Sequence, residues 1–395
     1  MSLYVSERHL EQAREFVAEV HRHGELAPLD LEQFWRDNDK AMADPWATDC
    51  PQVPMKIMME RECIIDELGV NVDWDRLMLE HEYYLPLARQ YNDKAERVIG
   101  RRVFNEQPRD PQREYPPIKQ LHDIFEARNE WRSGSWWLHQ AAHNETELAA
   151  LLDRVEQRLE HLREFMLPPQ WDEEKARLQG LGVASPLMRS LRGPVTFCTS
   201  IYGPENLIFL ITDNPALAGR LRDVLLRAIL TFASVLEEER GPSAAESHGW
   251  WWADDNCCLL SPSMFEFFAE PIHQAIFDRY CPDPGHVRFQ HSDSAMGHLL
   301  PIFRRLRLNG TNFGPTVSVA EIRAHLPNAT IDGQLAPFTF ARNEEVNIVA
   351  EFLRDREMIG TSKGLRFATA GSVNAGSRLS GLRLIMAAIQ RFGRY

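Results

Sequence analysis

The chain has 395 residues, 44% hydrophobic and 26% charged, with 24 Pro and 22 Gly. These are globular proportions, and they exclude a disordered, collagen-like or disulfide-knitted chain. A net charge of −13, from 57 acidic against 44 basic residues, excludes the basic surface on which general nucleic-acid binding rests. No stretch reaches the roughly eighteen apolar residues of a membrane span, and Met1-Ser-Leu-Tyr-Val-Ser lacks a basic-then-apolar leader. A cytoplasmic protein with no nucleic-acid or membrane partner is expected. The six cysteines, Cys50, Cys63, Cys198, Cys257, Cys258 and Cys281, form no CxxC pair and read as reduced thiols.

Residues 1–55 read as a helical arm: an amphipathic helix around Leu10–Val20, then a charged stretch with Asp37-Asn-Asp-Lys40. From 55 to 100 the pattern reads as helical, with Met55, Ile57, Met58, Met59 and Ile64-Ile65 on the apolar side. Prolines and charges make 106–117 a surface loop, and Ser135–Leu138 is strand-like. Asn144-Glu-Thr-Glu147 opens a helix in which Leu148, Leu151, Leu152, Val155, Leu159 and Leu162 recur at helical spacing.

Beyond about 180 short strands alternate with longer helices. The strands are Ser190–Ser200, Gly249–Ala253, His286–Gln290, Gly310–Phe313, Ala329–Ile331 and Leu365–Thr369. The intervening helices are Ala216–Glu239, Ser263–Tyr280, Gly297–Leu306, Val319–His325, Asn343–Arg354 and Leu379–Phe392. Such alternation implies parallel pairing with crossovers. The predicted fold class is α/β, a (β/α)8 TIM barrel over 56–395 with the N-terminal helical extension. A doubly wound open sheet is the alternative.

A barrel keeps its chemistry at the C-terminal ends of its strands. Reading past each end gives Asp254-Asp255-Asn256, His291-Ser-Asp-Ser294, Asn312, Asp332-Gly-Gln334 and Ser372-Val-Asn374. His291 and Asp293 alternate along a strand end and so point to one side. They are candidate metal ligands or an acid/base pair, set against a His merely held by a turn-stabilising Asp. Asp254 is the third candidate for both roles, or a helix cap, although Asp255 is favoured as the cap. In Trp250-Trp251-Trp252 every second ring must pack outward, which leaves Trp251 as the pocket candidate. Ser372 and Asn374 lie in a Gly-flanked turn before the last helix, suited to an anion at a helix N-terminus. Asn312 and Gln334 complete the substrate-binding candidates. His298 reads as a helix-surface residue.

Several of these segments resemble the uroporphyrinogen decarboxylase-like superfamily. Arg192-Gly-Pro-Val-Thr196 is similar to its Gly-Pro-hydrophobic-Thr turn. Trp252-Ala-Asp-Asp-Asn256 and Leu260-Ser-Pro-Ser-Met-Phe-Glu-Phe-Phe268 resemble its acidic strand end and following helix. Phe289-Gln-His-Ser-Asp-Ser294 resembles its His-bearing strand, and Ile331-Asp-Gly-Gln-Leu-Ala-Pro337 its Gly-Asn-hydrophobic-Asp-Pro turn. Ala370-Gly-Ser-Val-Asn-Ala-Gly-Ser-Arg-Leu379 is similar to its closing strand and turn. The resemblance implies a TIM barrel that is a cofactor-free decarboxylase or a zinc-dependent methyltransferase working with corrinoid or thiol partners.

The departures matter. There is no Arg-Gln-Ala-Gly-Arg-Tyr motif, Ala336 stands where the turn has Asp, and Gly371-Ser-Val replaces Gly-His-Gly, so porphyrinogen is not the expected substrate. The methyltransferase His-x-Cys reads His291-Ser-Asp293, with Ser372 near the distant Cys position. The ligand set His291, Asp293 and Asp254 would favour zinc or a harder divalent ion. The expected activity is a lyase or one-carbon transfer on a small anionic or polar substrate, metal-assisted. One alternative is a metal-independent decarboxylase with His291 as general acid; another is a retired barrel that only binds. A homodimer is the expected assembly, and a corrinoid would arrive only on a partner protein.

Overall fold

The computed structural model describes residues 3–24, 26–189, 191–240 and 248–395. Ser190, the first residue of one expected strand, lies outside them. The described strands are β1 (Asn129–Arg132), β2 (Ser135–Leu138), β3 (Leu191–Arg192), β4 (Trp250–Ala253), β5 (Arg288–Ser292), β6 (Gly310–Phe313), β7 (Thr330–Leu335) and β8 (Leu365–Thr369). β1 and β2 form an antiparallel hairpin with Asn129 opposite Leu138. The larger sheet takes its six strands in chain order, β3-β4-β5-β6-β7-β8. β3–β4, β6–β7 and β7–β8 are parallel, with Asp332 in register with Arg366. Helices separate successive strands, which is the TIM-barrel-like plan. A doubly wound sheet would break chain order at its switch point, and this one does not. The predicted count of eight barrel strands is not reached among the described residues.

Two compact units divide the chain: one holds 1–108, 291–304 and 308–395, the other 109–290 and 305–307. Helix Glu7–His23, capped by Ser6, buries Ala13, Phe16, Val17 and Val20. Burying each of the larger three contributes roughly 1.5–3 kcal/mol. Phe16 meets Phe392 edge-on at 5.3 Å, and His9 and His21 each lie 2.6 Å from a carboxylate of helix Glu345–Ile359. The arm is therefore packed onto the C-terminal third of its own unit.

Two local expectations are corrected. Residues 53–57 are extended rather than helical: Met55 bridges Phe367 in parallel, with Lys56 N donating to Phe367 O (2.8 Å) and Phe367 N to Pro54 O (2.7 Å). Val53 precedes a proline, which disfavours the α region. Met55, Ile57 and Met59 are buried whereas Met58 is exposed, a period of two. Buried Asn38 fixes the segment, accepting from Met55 N (2.7 Å) and donating to Met55 O (3.4 Å). The predicted strand 190–200 is mostly helix Pro194–Tyr202, begun by Gly193-Pro194, because proline at the first helical position pre-sets φ. The predicted helix 263–280 breaks at Ala269, before Pro271. Among the described residues no helix is long and apolar enough to cross a membrane.

Candidate functional site

In the first unit, neighbouring strands each contribute one polar side chain to a continuous row. Half-buried His291, near the end of β5, places Nδ1 2.7 Å from Asn312 Oδ1 on β6. Asn312 Nδ2 donates to the carbonyls of Asp332 (2.6 Å) and Thr369 (3.0 Å). Carbonyls only accept, so the amide orientation is fixed and its oxygen faces the ring. Nδ1 of His291 must then carry hydrogen, which leaves Nε2 as the nitrogen that gains or gives a proton.

The row continues through Asp332 of β7, whose carboxylate is 3% exposed. Its Oδ1 accepts from Arg366 Nε at 2.7 Å, and its Oδ2 from Lys56 Nζ at 2.6 Å. Phe367 packs edge-on against Phe352 of helix Glu345–Ile359, at 5.0 Å. Alternation along β8 therefore turns Arg366 to the face that carries the row. Sequence reading named Asp332 past a strand end but singled out neither Arg366 nor Lys56. Arg366 was legible as the residue before an apolar Phe in a marked strand. Lys56 was hidden by the helical reading of its segment.

The loops past the strand ends brace one another. Gln334 is buried, and its Nε2 donates to Gly314 O (3.1 Å) and Val317 O (2.5 Å), so it clamps the loop after β6. A Cβ on Gly314 would stand 2.2 Å from Asp293 O. Asp293 is exposed; Gly371 has a φ of +120°, which favours glycine, and a Cβ added there would stand 3.0 Å from Asp293 Cβ. Ser372 is exposed on the same turn, and half-buried Asn374 has its carbonyl 3.6 Å from Cys63 Sγ. The anion expected at the start of helix Leu379–Phe392 has an occupant from the chain itself. Buried Glu67 accepts from Leu379 N at 2.8 Å and pairs with Lys94 Nζ at 2.6 Å.

In the second unit Asp254, past β4, is fully buried and accepts from Thr196 N (2.6 Å) and Val195 N (3.4 Å). These are N–H groups of the first turn of helix Pro194–Tyr202, whose N-cap is Gly193. A Cβ on Gly193 would fall 2.1 Å from Asp254 Cβ, so the aspartate fills the place of a missing capping side chain. Burial pushes its carboxyl up to about 7 against the pull of the Thr196 and Val195 hydrogen bonds. Asp254 caps a helix that precedes it in the chain, and Ser261 caps the following helix Pro262–Phe268. Trp250 and Trp252 are buried against Tyr280 (4.9 Å) and His273 (5.1 Å), as alternation demands. Trp251 faces the other way, 43% exposed, and lines a cavity of about 440 Å³ with Met188, Arg240, His248 and Val287. Gly249 and Val287 precede β4 and β5, so this cavity sits at the N-terminal strand ends, away from Asp254. All six cysteines are free thiols.

A family model described as Uroporphyrinogen decarboxylase (URO-D) matches residues 158–392. The chain belongs to the uroporphyrinogen decarboxylase family. The match takes in β3 to β8 and the whole of the last helix, the region whose motifs carried the resemblance. Membership places it among the decarboxylases and corrinoid-dependent methyltransferases of that superfamily. No curated protein matches the chain. Among solved structures it is similar to a methyltransferase from Methanosarcina mazei, with 17% identity, a TM-score of 0.52 and coverage of 86% of this chain and 94% of that one. That likeness is one of fold.

The donors present do not fit the expected metal set. Among the described residues no three His, Cys, Asp or Glu side chains gather as ligands. Asp254 is engaged by helix N–H groups, and Asp293 lies against the Gly371 turn. For this member of the uroporphyrinogen decarboxylase family, the chemistry is therefore derived from the protein's own groups.

Proposed function

We propose that the chain is a lyase acting on a small anionic substrate, a decarboxylase in which His291 is the general acid. The observation that carries this reading is the Asn312 clamp on His291 Nδ1. It holds the imidazole in one tautomer and orientation, with Nε2 as the reacting atom, and an imidazole near neutral pH both takes and gives a proton. In the step, the bond from a substrate carbon to its carboxylate breaks and carbon dioxide leaves. The electron pair stays on the carbon, shared with the substrate's own π system, and the Nε2 proton of the imidazolium closes the new C–H bond. Solvent then reprotonates the ring. Asn312 is a positioning residue: its amide is anchored by two strand carbonyls, so the ring is aimed before substrate arrives.

The test is release of labelled carbon dioxide from a panel of small carboxylic acids. His291→Gln is expected to lose about 10²–10⁴-fold in kcat. Asn312→Ala, which frees the ring, is expected to lose about tenfold with a smaller change in KM. Activity of His291→Gln equal to wild type would contradict the reading. So would a stoichiometric divalent metal that leaves on this substitution. Methyl transfer, the activity of the Methanosarcina mazei methyltransferase of similar fold, would appear instead as methylation of a nucleophile with no carbon dioxide released.

A further inference from the structure

Trp251, singled out by the alternation of its strand, is not used by the chemistry of His291. All the residues around its cavity belong to the unit of 109–290 and 305–307. Trp250 and Trp252 turn to helix Glu270–Tyr280, where they meet Tyr280 and His273, so Trp251 takes the opposite face of β4. Phe289 of β5 backs its indole with nearly parallel rings, 6.0 Å apart and 18° from coplanar. The indole residue is still 43% exposed, and Val287 and Met188 on the same wall are exposed as well. A large aromatic surface held beside two aliphatic ones is a floor on which a flat apolar molecule stacks. The volume, about 440 Å³, is that of a small-molecule site. The floor is also preformed, because Gly249 N donates to Tyr280 O at 3.0 Å and Trp250 N to Val287 O at 2.8 Å.

The polar part of the wall is basic. Arg189, Arg240 and His248 line the cavity, and among the described residues no Asp or Glu does. Arg189 is committed within the protein: it pairs with Glu237 at 2.8 Å, and its guanidinium lies 4.2 Å from the centre of the Tyr280 ring. His248 stacks on His286 at 4.3 Å. Arg240, in the last turn of helix Pro215–Arg240, is half-buried and makes no hydrogen bond or ion pair among the described residues. A guanidinium with its donors unengaged, beside an aromatic floor, takes a carboxylate in paired bonds. A barrel keeps its chemistry at the C-terminal strand ends, whereas Gly249 and Val287 precede β4 and β5. The cavity is therefore suited to binding and not to reaction.

We propose that this cavity is a second ligand site, which takes a flat aromatic carboxylate: the ring lies on Trp251 between Val287 and Met188, and the carboxylate is held by Arg240. The proposal is independent of the reading of His291, since binding is measured without turnover. The probes are 2-naphthoate and its neutral counterpart 2-naphthamide, titrated separately by calorimetry, so that stacking and charge are read apart. The proteins are wild type, Trp251→Ala, Arg240→Gln, Val287→Glu, Trp137→Ala and His291→Gln, each checked by thermal unfolding. Trp137, exposed on the β1–β2 hairpin, controls for adsorption to any surface indole.

Wild type is expected to bind 2-naphthoate saturably, one per chain, and about tenfold more tightly than 2-naphthamide. Arg240→Gln is expected to abolish that preference by weakening the carboxylate alone. Trp251→Ala is expected to weaken both probes about tenfold or more. Val287→Glu, which sets a carboxylate on the wall, is expected to weaken 2-naphthoate more than 2-naphthamide. Trp137→Ala and His291→Gln are expected to bind as wild type. If Trp251→Ala does not fold, Val287→Glu and Arg240→Gln decide the matter. Absence of saturable 2-naphthoate binding to wild type would overturn the site. So would binding that is lost in His291→Gln or Trp137→Ala but kept in Trp251→Ala. A preference for the carboxylate that survives Arg240→Gln would overturn the assignment of Arg240, and with it the class of ligand.

Discussion

Asp332 and Asp254 are carboxylates of the same kind in comparable burial, at 3% and 0% exposure, and their surroundings make them opposites. Asp332 faces two cations on the row that leads to His291. Asp254 faces two backbone N–H groups at a helix start, and burial lifts its carboxyl to about 7. The first is held between two cationic side chains, and the second closes off a helix end. A buried acid at a strand end is thus no evidence of a site by itself; its partners decide what it does.

The sharpest way to break this contrast is to remove each acid. Asp332→Ala strands two cations in a partly closed interior and is expected to cost about 4 kcal/mol in urea unfolding, toward the range for breaking buried pairs. Asp254→Ala leaves two N–H groups without an acceptor and is expected to cost about 2 kcal/mol. Asp254→Asn keeps an acceptor and is expected to cost less than about 1 kcal/mol. Equal losses for the two alanine variants would erase the distinction.

A smaller effect sharpens the picture of the second unit. Its buried His273, whose Nδ1 lies 2.9 Å from Ala269 O, is driven by desolvation from 6.5 down to about 4. Between those values the unfolded chain binds the extra proton, so this group's contribution to stability falls as pH drops from 6.5 to 4. Asp254 has its folded value raised from 3.8 to about 7, so the folded chain binds the extra proton and stability rises as pH drops through that window. The two slopes oppose each other. Relative to wild type, Asp254→Asn is expected to lose stability more steeply on acidification, and His273→Asn less steeply. Urea midpoints between pH 4 and 7 check the signs, and parallel curves for all three proteins would contradict them.

Much of the strand-and-helix order was legible because alternation and helical spacing are local signals. β6, β8, helix Val319–His325 and helix Leu379–Phe392 lie where the pattern places them. The misses were where a tertiary contact decides. Residues 53–57 are apolar enough for a helix, and only the ladder to Phe367 makes them extended. Gly193-Pro194 reads as the end of a strand turn until a carboxylate from the next strand supplies the cap. Of the candidate site, His291 and Asn312 were each named by reading strand ends, but their contact was not. Lys56 and Arg366 were not singled out: a barrel's chemistry is expected past its strands, whereas Arg366 lies within β8 and Lys56 in a segment whose pattern reads as helical. Glu67, distant in sequence, accepts from Leu379 N at the start of the helix that follows the Ser372 turn, a contact that no local pattern announces.

The central claim is that the strand carbonyls behind Asn312 fix which nitrogen of His291 does the work. Long-range ¹H–¹⁵N correlation of the His291 ring measures this directly in the intact protein. The account predicts that the neutral ring carries its hydrogen on Nδ1, and that Asn312→Ala releases this preference. A neutral ring protonated on Nε2, or a tautomer indifferent to Asn312→Ala, would contradict it.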